Sequence, residues 1–204
     1  MNAFIRPYIW VKRFRHRCGY GVHSPFAFNL ITKLFYEKTP YYDYATLAER
    51  EHREGNHMWR CAERTKVKRL LFRLVNWAQP HTVVAAGRPT AASIYLQAGC
   101  LKQQFHAVTT LAELQACNIP TIDLLYISCS DQPGFRWQVF DALAARTTSK
   151  SVFAVSGINS SVAMKGLWKR MQQDPRTGIT FDLYDIGIIF FDKGRFKQHY
   201  LVNF

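Results

Sequence analysis

The residues with the clearest chemical potential follow the apolar run Thr82–Ala86, where Gly87 is succeeded by Arg88 and Pro89. A buried strand that leads into a glycine and a helix start is where a nucleotide-binding α/β domain places its ligand-cradling loop. This loop has one glycine rather than three, and no acidic residue lies near it in the sequence. A simple turn, with proline at the first helical position, explains the same pattern. The sequence therefore indicates a ligand-binding architecture and leaves its chemistry open.

Polar side chains also follow the next two predicted strands. Thr110 and Glu113 come after the second strand, and Ser128 and Cys129 close the third. Cys129 could act as a nucleophile, but no histidine partner can be assigned to it, and a free cysteine usually behaves as a small hydrophobe. Asp131 could act as a base, although an aspartate before Gln-Pro-Gly is typical of a turn or a helix cap. In a parallel sheet these groups would lie at the same edge as the glycine turn.

Hydrophobic periodicity predicts the elements that position these groups. Continuous apolar strands separated by helices indicate a parallel sheet covered on both faces. The last two full strands are joined by Asp185-Ile186-Gly187, which is too short for a crossover and predicts an antiparallel hairpin. The predicted helices are 25–39, 41–55, 58–78, 89–99, 111–117, 135–145 and 161–173, and the predicted strands are 82–86, 105–109, 122–129, 151–156, 179–184 and 187–191, with an edge strand at 198–204.

The positive charge is unevenly distributed. The chain of 204 residues carries a net charge of +13, and residues 1–36 contain six cations and no acid. Aromatic residues alternate with these cations, so this basic arm could grip phosphates and stack the bases of a nucleic acid. The simpler interpretation, which we favour, is that its aromatics pack on the domain while its cations stay in solvent. In the later amphipathic helix, Lys66, Lys68, Arg69 and Arg73 are expected to face mostly outward.

Composition argues against several classes of protein. No stretch approaches the roughly 20 apolar residues that a membrane span needs, and the N-terminus is a poor secretion signal. Five cysteines without a C-x-x-C pair argue against a disulfide framework or a zinc site and favour a cytoplasmic protein. His52 and His57 are too far apart for one helical face, so we expect no metal. The predicted organisation is a basic arm with helices over 1–56, then a Rossmann-like domain over 57–204.

Three segments extend this interpretation to a family. His23–Phe28, Arg69–Pro80 and Phe181–Phe191, together with a mostly parallel sheet closed by a hairpin, resemble class I S-adenosylmethionine-dependent methyltransferases. The likeness is to a largely uncharacterised bacterial group familiar from the Bacteroidetes, and it runs over almost the whole chain. It implies a Rossmann-like fold with an S-adenosylmethionine site at the carboxyl edge of the sheet.

The chain departs from that family where the methyl donor would bind. The acid and glycine-rich turn after the first strand are reduced to Gly87, followed by the cation Arg88. The ribose-binding acid after the second strand is replaced by Thr110, with Glu113 one helical turn later. A glutamate on a short exposed helix usually points at water. If donor binding is retained, the resemblance assigns it to Gly87, Thr110, Glu113 and Ser128.

Two larger departures concern the sheet itself. The span Thr109–Thr121 has only 13 residues, room for one crossover. The family places a helix, a strand and another helix there, and that insertion encloses adenine, so we expect a sheet one strand short. The family also carries acids in FDG and DDIH motifs at the next two strand ends, whereas this chain has Ser128-Cys129 and Ser156-Gly157. A carboxylate pair for metal binding or proton abstraction is therefore missing.

The concerted departures favour a degenerate methyltransferase-fold protein that lacks methyl transfer and acts as a binding or interaction module, with no cofactor. The alternative is an active S-adenosylmethionine-dependent methyltransferase with an atypical site, which predicts a polar pocket around Gly87, Ser128 and Ser156. That alternative would fail if side chains such as Arg88, Phe135 or Trp137 filled the crevice. A third hypothesis is nucleic-acid binding through the basic arm.

Overall fold

The computed structural model describes residues 5–54, 63–129 and 132–204. Within these ranges the helices are α1 (Ile5–Lys12), α2 (Pro25–Asn29), α3 (Asp43–Glu54), α4 (Thr65–Ala78), α5 (Ala92–Ala98), α6 (Leu111–Ala116), α7 (Pro133–Ala144) and α8 (Val162–Gln173). The strands are β1 (Thr82–Ala86), β2 (Gln104–Val108), β3 (Ile122–Ile127), β4 (Thr147–Ser156), β5 (Thr180–Asp182), β6 (Ile186–Phe190) and β7 (His199–Leu201). A 3₁₀ turn over Phe14–His16 follows α1, and α2 continues into a π-helical turn over Leu30–Phe35. No described helix is both long and apolar enough to cross a bilayer.

The strands form one seven-stranded sheet in the order β2-β1-β3-β4-β6-β5-β7. β6 runs antiparallel to both of its neighbours, and the other pairings are parallel. The predicted mostly parallel sheet with a C-terminal hairpin is therefore confirmed. The predicted deletion is also confirmed, because α6 alone connects β2 to β3. β7 adds a strand at the opposite edge, as the pattern over 198–204 predicted.

Alternating side chains of the strands divide the core into two layers. Val83 and Ala85 of β1 face a cluster that includes apolar residues of α2, α4 and α5. Val84 and Ala86 face a second cluster with residues of α6, α7 and α8. Burial on both faces explains why the central strands are continuously apolar. The result is a sheet between two helical layers, with its carboxyl edge open to the connecting loops.

Helix α4 corrects two predictions. It begins at Thr65 rather than near Met58, because Arg64 is in an extended conformation, and residues 58–62 lie outside the described ranges. Lys66 and Arg69 are exposed as expected, but Lys68 and Arg73 are buried. Lys68 is inward because its ammonium forms an ion pair with Glu51 of α3.

Arg73 is buried because its guanidinium holds the end of the π-helical turn. Its Nε donates to the Leu34 carbonyl at 2.9 Å and its Nη2 donates to the Phe35 carbonyl at 3.2 Å. Its Nη1 donates to the hydroxyl of Tyr44 in α3, also at 3.2 Å. These bonds satisfy carbonyls that a helix end leaves open, and they tie the N-terminal helices to α4. The predicted boundary between residues 56 and 57 lies outside the described ranges and stays a prediction.

The basic arm is anchored by one of the cations expected in solvent. Arg13 is only 9% exposed, and its Nη1 donates to Asp182 Oδ1 at 2.9 Å. The aromatics expected to pack on the domain are instead exposed: Tyr8 is 67%, Trp10 51% and Tyr20 78% exposed. Lys12, Arg15 and Arg17 are exposed, so the preferred interpretation is confirmed for these cations but is wrong for Arg13 and for these aromatics. The short α1 and the following turn present these side chains outward, while Arg13 reaches back to the sheet.

Candidate functional site

The candidate site is the carboxyl edge of the sheet between β1 and β3. β2 lies on one side of β1 and β3 on the other, so this is the point where an open α/β sheet leaves a crevice for a ligand. Gly87 turns the chain here with a φ of 108°, which explains why this position is a glycine. Its N–H donates to the Val108 carbonyl at 2.8 Å, and the Ser128 N–H donates to the Ala86 carbonyl at 2.9 Å. Both amides extend the sheet and are not directed at a ligand.

A carboxylate that the sequence analysis missed lies beneath this edge. Glu63, just before α4, is only 6% exposed. Its Oε1 accepts hydrogen bonds from the Tyr126 hydroxyl in β3 and from the Cys129 thiol, the latter at 3.6 Å. Its Oε2 is buried and has no hydrogen-bond partner in the described part of the chain. The sequence around the glycine turn contains no acid, but the fold brings this carboxylate to β3, the strand paired with β1.

Burial and the Glu63 carboxylate both affect the pKa of Tyr126. Burial raises the pKa of the Tyr126 hydroxyl well above its ordinary value, and the negative charge of Glu63 raises it further. Tyr126 therefore stays protonated and donates to the carboxylate. The only sequence signal was a tyrosine within a buried strand, because a buried phenol needs a hydrogen-bond partner.

Thr110 and Glu113 form a cap at the end of β2. The Thr110 hydroxyl accepts the N–H of Glu113 at 3.2 Å, which makes it the N-cap of α6. The Glu113 carboxylate reaches back and accepts the Thr109 N–H at 2.7 Å and the Thr109 hydroxyl at 3.0 Å. These bonds lower the pKa of Glu113. Glu113 is exposed to solvent, as expected, and the capping geometry turns its carboxylate back towards Thr109 at the strand end.

A buried cation lies at the end of β4. Arg136 in the first turn of α7 is 1% exposed, and its Nη1 donates to the Ser156 carbonyl at 2.8 Å. The same nitrogen is 3.4 Å from the Met164 sulfur in α8. A guanidinium thus lies at the strand end where the family resemblance implies acids.

The side chains named as possible plugs of the crevice have other positions. Arg88 is exposed, whereas Phe135 and Trp137 are half-buried against the core layer of α7 and α8. The Arg170 guanidinium lies 3.6 Å from the centre of the Trp137 ring and covers it. Arg136 is buried instead because it lies on the same face of α7 as the buried residues Val139, Phe140 and Leu143.

The remaining sequence candidates add little chemistry to this edge. Asp131 lies outside the described residues. Ser128 and Ser156 are both buried at their strand ends. Among the residues that the structure describes, no three histidine, cysteine, aspartate or glutamate side chains are grouped to hold a metal ion. The edge therefore combines one buried carboxylate near β1 and β3 with one buried guanidinium at β4.

The fold is similar to that of solved methyltransferases, although sequence identity is very low. No family model matches the sequence, and no curated protein matches it. An O-methyltransferase from Bacillus cereus in complex with SAH has a TM-score of 0.55 and 11% identity, covering 75% of this chain and 92% of the other. TomG, an O-methyltransferase from Streptomyces achromogenes in complex with SAM, gives 0.53 and 9%, covering 75% and 91%. The SAH-bound methyltransferase PaMTH1 of Podospora anserina gives 0.54 and 8%, covering 83% and 96%.

These similarities confirm the architecture that the sequence pattern predicted. At such low identity they speak for the fold and not for the reaction. The resemblance to a Bacteroidetes group stays a prediction. The strand order, the antiparallel β6 and the solved neighbours together establish that this chain has the class I methyltransferase fold.

Proposed function

We propose that this chain is a methyltransferase-fold protein that does not transfer methyl groups and acts as a binding module. The observation that carries the proposal is the Arg136 guanidinium, buried against the Ser156 carbonyl at the end of β4. Methyl transfer to a hydroxyl needs a base or a metal to remove the proton, and the family resemblance places acids for this task at that strand end. A buried cation there disfavours both a bound metal ion and an electron-poor sulfonium.

The neighbouring loops support the same proposal. A methyl donor of this kind has positively charged amino and sulfonium groups and needs backbone donors for its carboxylate. The N–H groups of Gly87 and Ser128 are already used within the sheet. The direct connection from β2 through α6 to β3 also removes the segment that the family resemblance assigns to the adenine wall. We therefore expect the methyl donor to bind poorly at this edge.

Calorimetric titration with S-adenosylmethionine and its demethylated product tests this proposal. We expect no saturable binding of either compound at micromolar concentrations. Binding of the donor with one-to-one stoichiometry and micromolar affinity would contradict the proposal. The Arg136→Met variant provides a second test, because removal of the cation should improve donor affinity if the site is otherwise intact.

The second candidate is an active or donor-binding protein with an atypical site, and Glu63 is the observation in its favour. A buried carboxylate oxygen without a partner is costly, and an ammonium group would satisfy it. Glu113 also brings a carboxylate to the end of β2. If this candidate is right, Glu63→Gln should weaken donor binding about tenfold or more. Glu49→Gln, on the exposed face of α3, is the matched control and should have no effect.

We further propose that the binding role concerns an anionic partner, most simply a nucleic acid, which the basic arm contacts. Lys12, Arg15 and Arg17 are exposed next to exposed aromatic rings, and the Arg17 guanidinium lies 4.0 Å from the centre of the Phe14 ring. Cations bind phosphates while aromatic faces stack on bases. The anchor through Arg13 holds this surface in place on the domain.

Salt-dependent binding to a short single-stranded RNA tests the arm. The triple variant Lys12→Ala, Arg15→Ala, Arg17→Ala should reduce the slope of log affinity against log salt by about 2, because three phosphate contacts each contribute about 0.7. Lys165→Ala with Lys169→Ala removes exposed charge from α8 and is the control. No measurable binding at low salt, or an equal effect of both variants, would contradict this role.

We propose that the protein is cytoplasmic, on the basis of its cysteines. Those in the described part of the chain, Cys18, Cys100, Cys117 and Cys129, are all free thiols. Free thiols persist in a reducing environment, which supports our proposal of the cytoplasm. Fractionation of the native host cell would test it.

A further inference from the structure

A second cleft lies beside α4 and is lined by residues other than Gly87, Glu63 and Arg136. It has a volume of about 680 Å³ and is bounded by residues 36–41, the start of α3 and the first half of α4. We call it the cationic cleft and define it by Tyr36, Lys38, Tyr41, Lys66, Arg69 and Arg73. Its size is within the range of small-molecule sites in proteins. Its walls come from three separate segments, so no sequence pattern indicates it.

Three of its cations come from one face of α4. Lys66, Arg69 and Arg73 are spaced by three and four residues, so they line up along the helix. Arg73 is held in one position by the carbonyls of Leu34 and Phe35, and it provides a fixed charge at the inner end of the cleft. Lys66 and Arg69 can therefore approach a ligand beside the fixed positive charge of Arg73.

The outer two cations are Lys66 and Arg69. In the described part of the chain neither Lys66 nor Arg69 forms an ion pair. Arg69 lies over the Tyr44 ring at 4.7 Å, and the Lys66 ammonium lies 4.1 Å from the centre of the Phe204 ring. Although Lys66 is exposed as a residue, partial desolvation of its ammonium and the charge of Arg73 lower its pKa, and Asp185 opposes this only in part. An anion in the cleft would relieve that repulsion.

The one carboxylate that lines the cleft is already engaged. Glu37 Oε1 accepts the Thr39 N–H at 2.9 Å, and these bonds to Thr39 lower its pKa. The lining of the cleft therefore contains one carboxylate and four cations, which are Lys38, Lys66, Arg69 and Arg73. The start of α4 adds to this excess, because no hydrogen-bond acceptor is found for the amides of Thr65 and Lys66 among the described residues.

The remaining wall is aromatic. Tyr41 packs against Tyr44 at 5.3 Å and edge-on to Phe72 at 5.5 Å, so its ring is held rigidly. Tyr36 lines the cleft as well, and its hydroxyl donates to the Asn203 carbonyl. We propose that the cationic cleft binds the phosphate group of a small molecule, with Lys66 and Arg69 contacting the phosphate oxygens and the tyrosines bordering the group that carries it.

This inference does not depend on the proposed function. The cleft shares no residue with the edge formed by Gly87, Glu63 and Arg136, and none with the exposed cations of the basic arm. Loss of methyl-donor binding or of RNA binding would leave it unaffected. Its test therefore uses other ligands and other variants.

Calorimetry of the full chain with three probes tests the cleft: inorganic phosphate, adenosine monophosphate and adenosine. We expect one-to-one binding of the monophosphate, weaker binding of phosphate and at least tenfold weaker binding of adenosine. Lys66→Ala and Arg69→Ala should each weaken monophosphate binding about tenfold, since each removes a charge-assisted hydrogen bond. The monophosphate affinity of Arg69→Lys should lie between those of the unaltered chain and Arg69→Ala, because lysine keeps the charge but lacks the planar guanidinium.

Controls separate this site from general basicity. Lys165→Ala on α8 and Arg15→Ala in the arm should bind the monophosphate as the unaltered chain does, and melting temperatures should confirm that all variants fold. If inorganic phosphate binds as tightly as the monophosphate, the proposal stands and the occupant is free phosphate. No binding of either phosphate compound at low salt and millimolar concentration would overturn it. Equal affinities for adenosine and its monophosphate, or unchanged affinity in both alanine variants, would overturn it as well.

Discussion

Replacement of Arg73 by methionine tests whether one buried guanidinium joins the N-terminal helices to the domain. Methionine keeps much of the apolar stem but removes all three donors to Leu34, Phe35 and Tyr44. Two backbone carbonyls at the end of the π-helical turn then stay buried without these donors. The unfolding free energy should fall, because carbonyls at buried positions lose their donors.

The size of the loss follows from the bonds removed. A hydrogen bond from a charged donor stabilises a protein by about 1.5–3 kcal/mol, so the two carbonyl bonds set a range of about 3–6 kcal/mol. Relief of the cost of burying the guanidinium offsets part of this. We therefore expect Arg73→Met to lower the unfolding free energy by about 3 kcal/mol. For a chain of this size, that corresponds to a melting temperature lower by roughly 6–12 °C.

Urea unfolding followed by circular dichroism measures this difference. Arg69→Met is the matched control, one turn earlier on the same helix face, where the exposed guanidinium lies 4.7 Å from the centre of the Tyr44 ring. Its loss should be about 0.5–1 kcal/mol. If the two variants differ by less than about 1 kcal/mol, the assignment of Arg73 as a structural clamp is wrong.

Three further outcomes are expected. Gly187→Ala in β6 should cost about 1–3 kcal/mol, because the added Cβ would lie 2.5 Å from Cη2 of the buried Trp168 ring; thermal unfolding measures it. Gly166→Ala in α8 should instead raise the unfolding free energy by up to about 1 kcal/mol, since nothing lies within 4 Å of the added group and alanine favours the helix. The hydrogen bonds from Arg176 lower the pKa of Asp174 below its ordinary value of 3.8, so its contribution to stability is present above that pH and is lost as the pH falls through the folded value. Urea unfolding from pH 7 to pH 3 should therefore show a smaller loss of stability in Asp174→Asn than in the unaltered chain, and identical slopes would contradict this.

The sheet could be predicted from the sequence because its strands carry a strong signal. β1, β3 and β4 are buried on both faces, and their unbroken apolar runs are visible without a structure. The short link between β5 and β6 likewise allowed only an antiparallel turn. The boundaries moved by a few residues, most at β4, which begins at Thr147 because this residue pairs with Ile122 before an irregularity in the register.

The candidate site could be predicted only in part. Gly87 stands out because its position requires a positive φ, and Thr110 and Glu113 have the spacing of a helix cap. Arg136 could have been found as well, because it lies three, four and seven residues before the inward side chains of α7. Glu63 could not, since only the packing of α4 against the sheet brings it to Tyr126.

The anchor of the basic arm has a consequence for synthesis on the ribosome. Arg13 contacts the carbonyl of Val202, 189 positions later in the chain, and the Asn203 N–H donates to the His16 carbonyl. The arm emerges from the ribosome early, but the surface that receives it forms only after the last strand has been translated. Throughout that interval the arm lacks its contacts with Val202 and Asn203, so its cations and aromatic rings are not yet fixed on the domain.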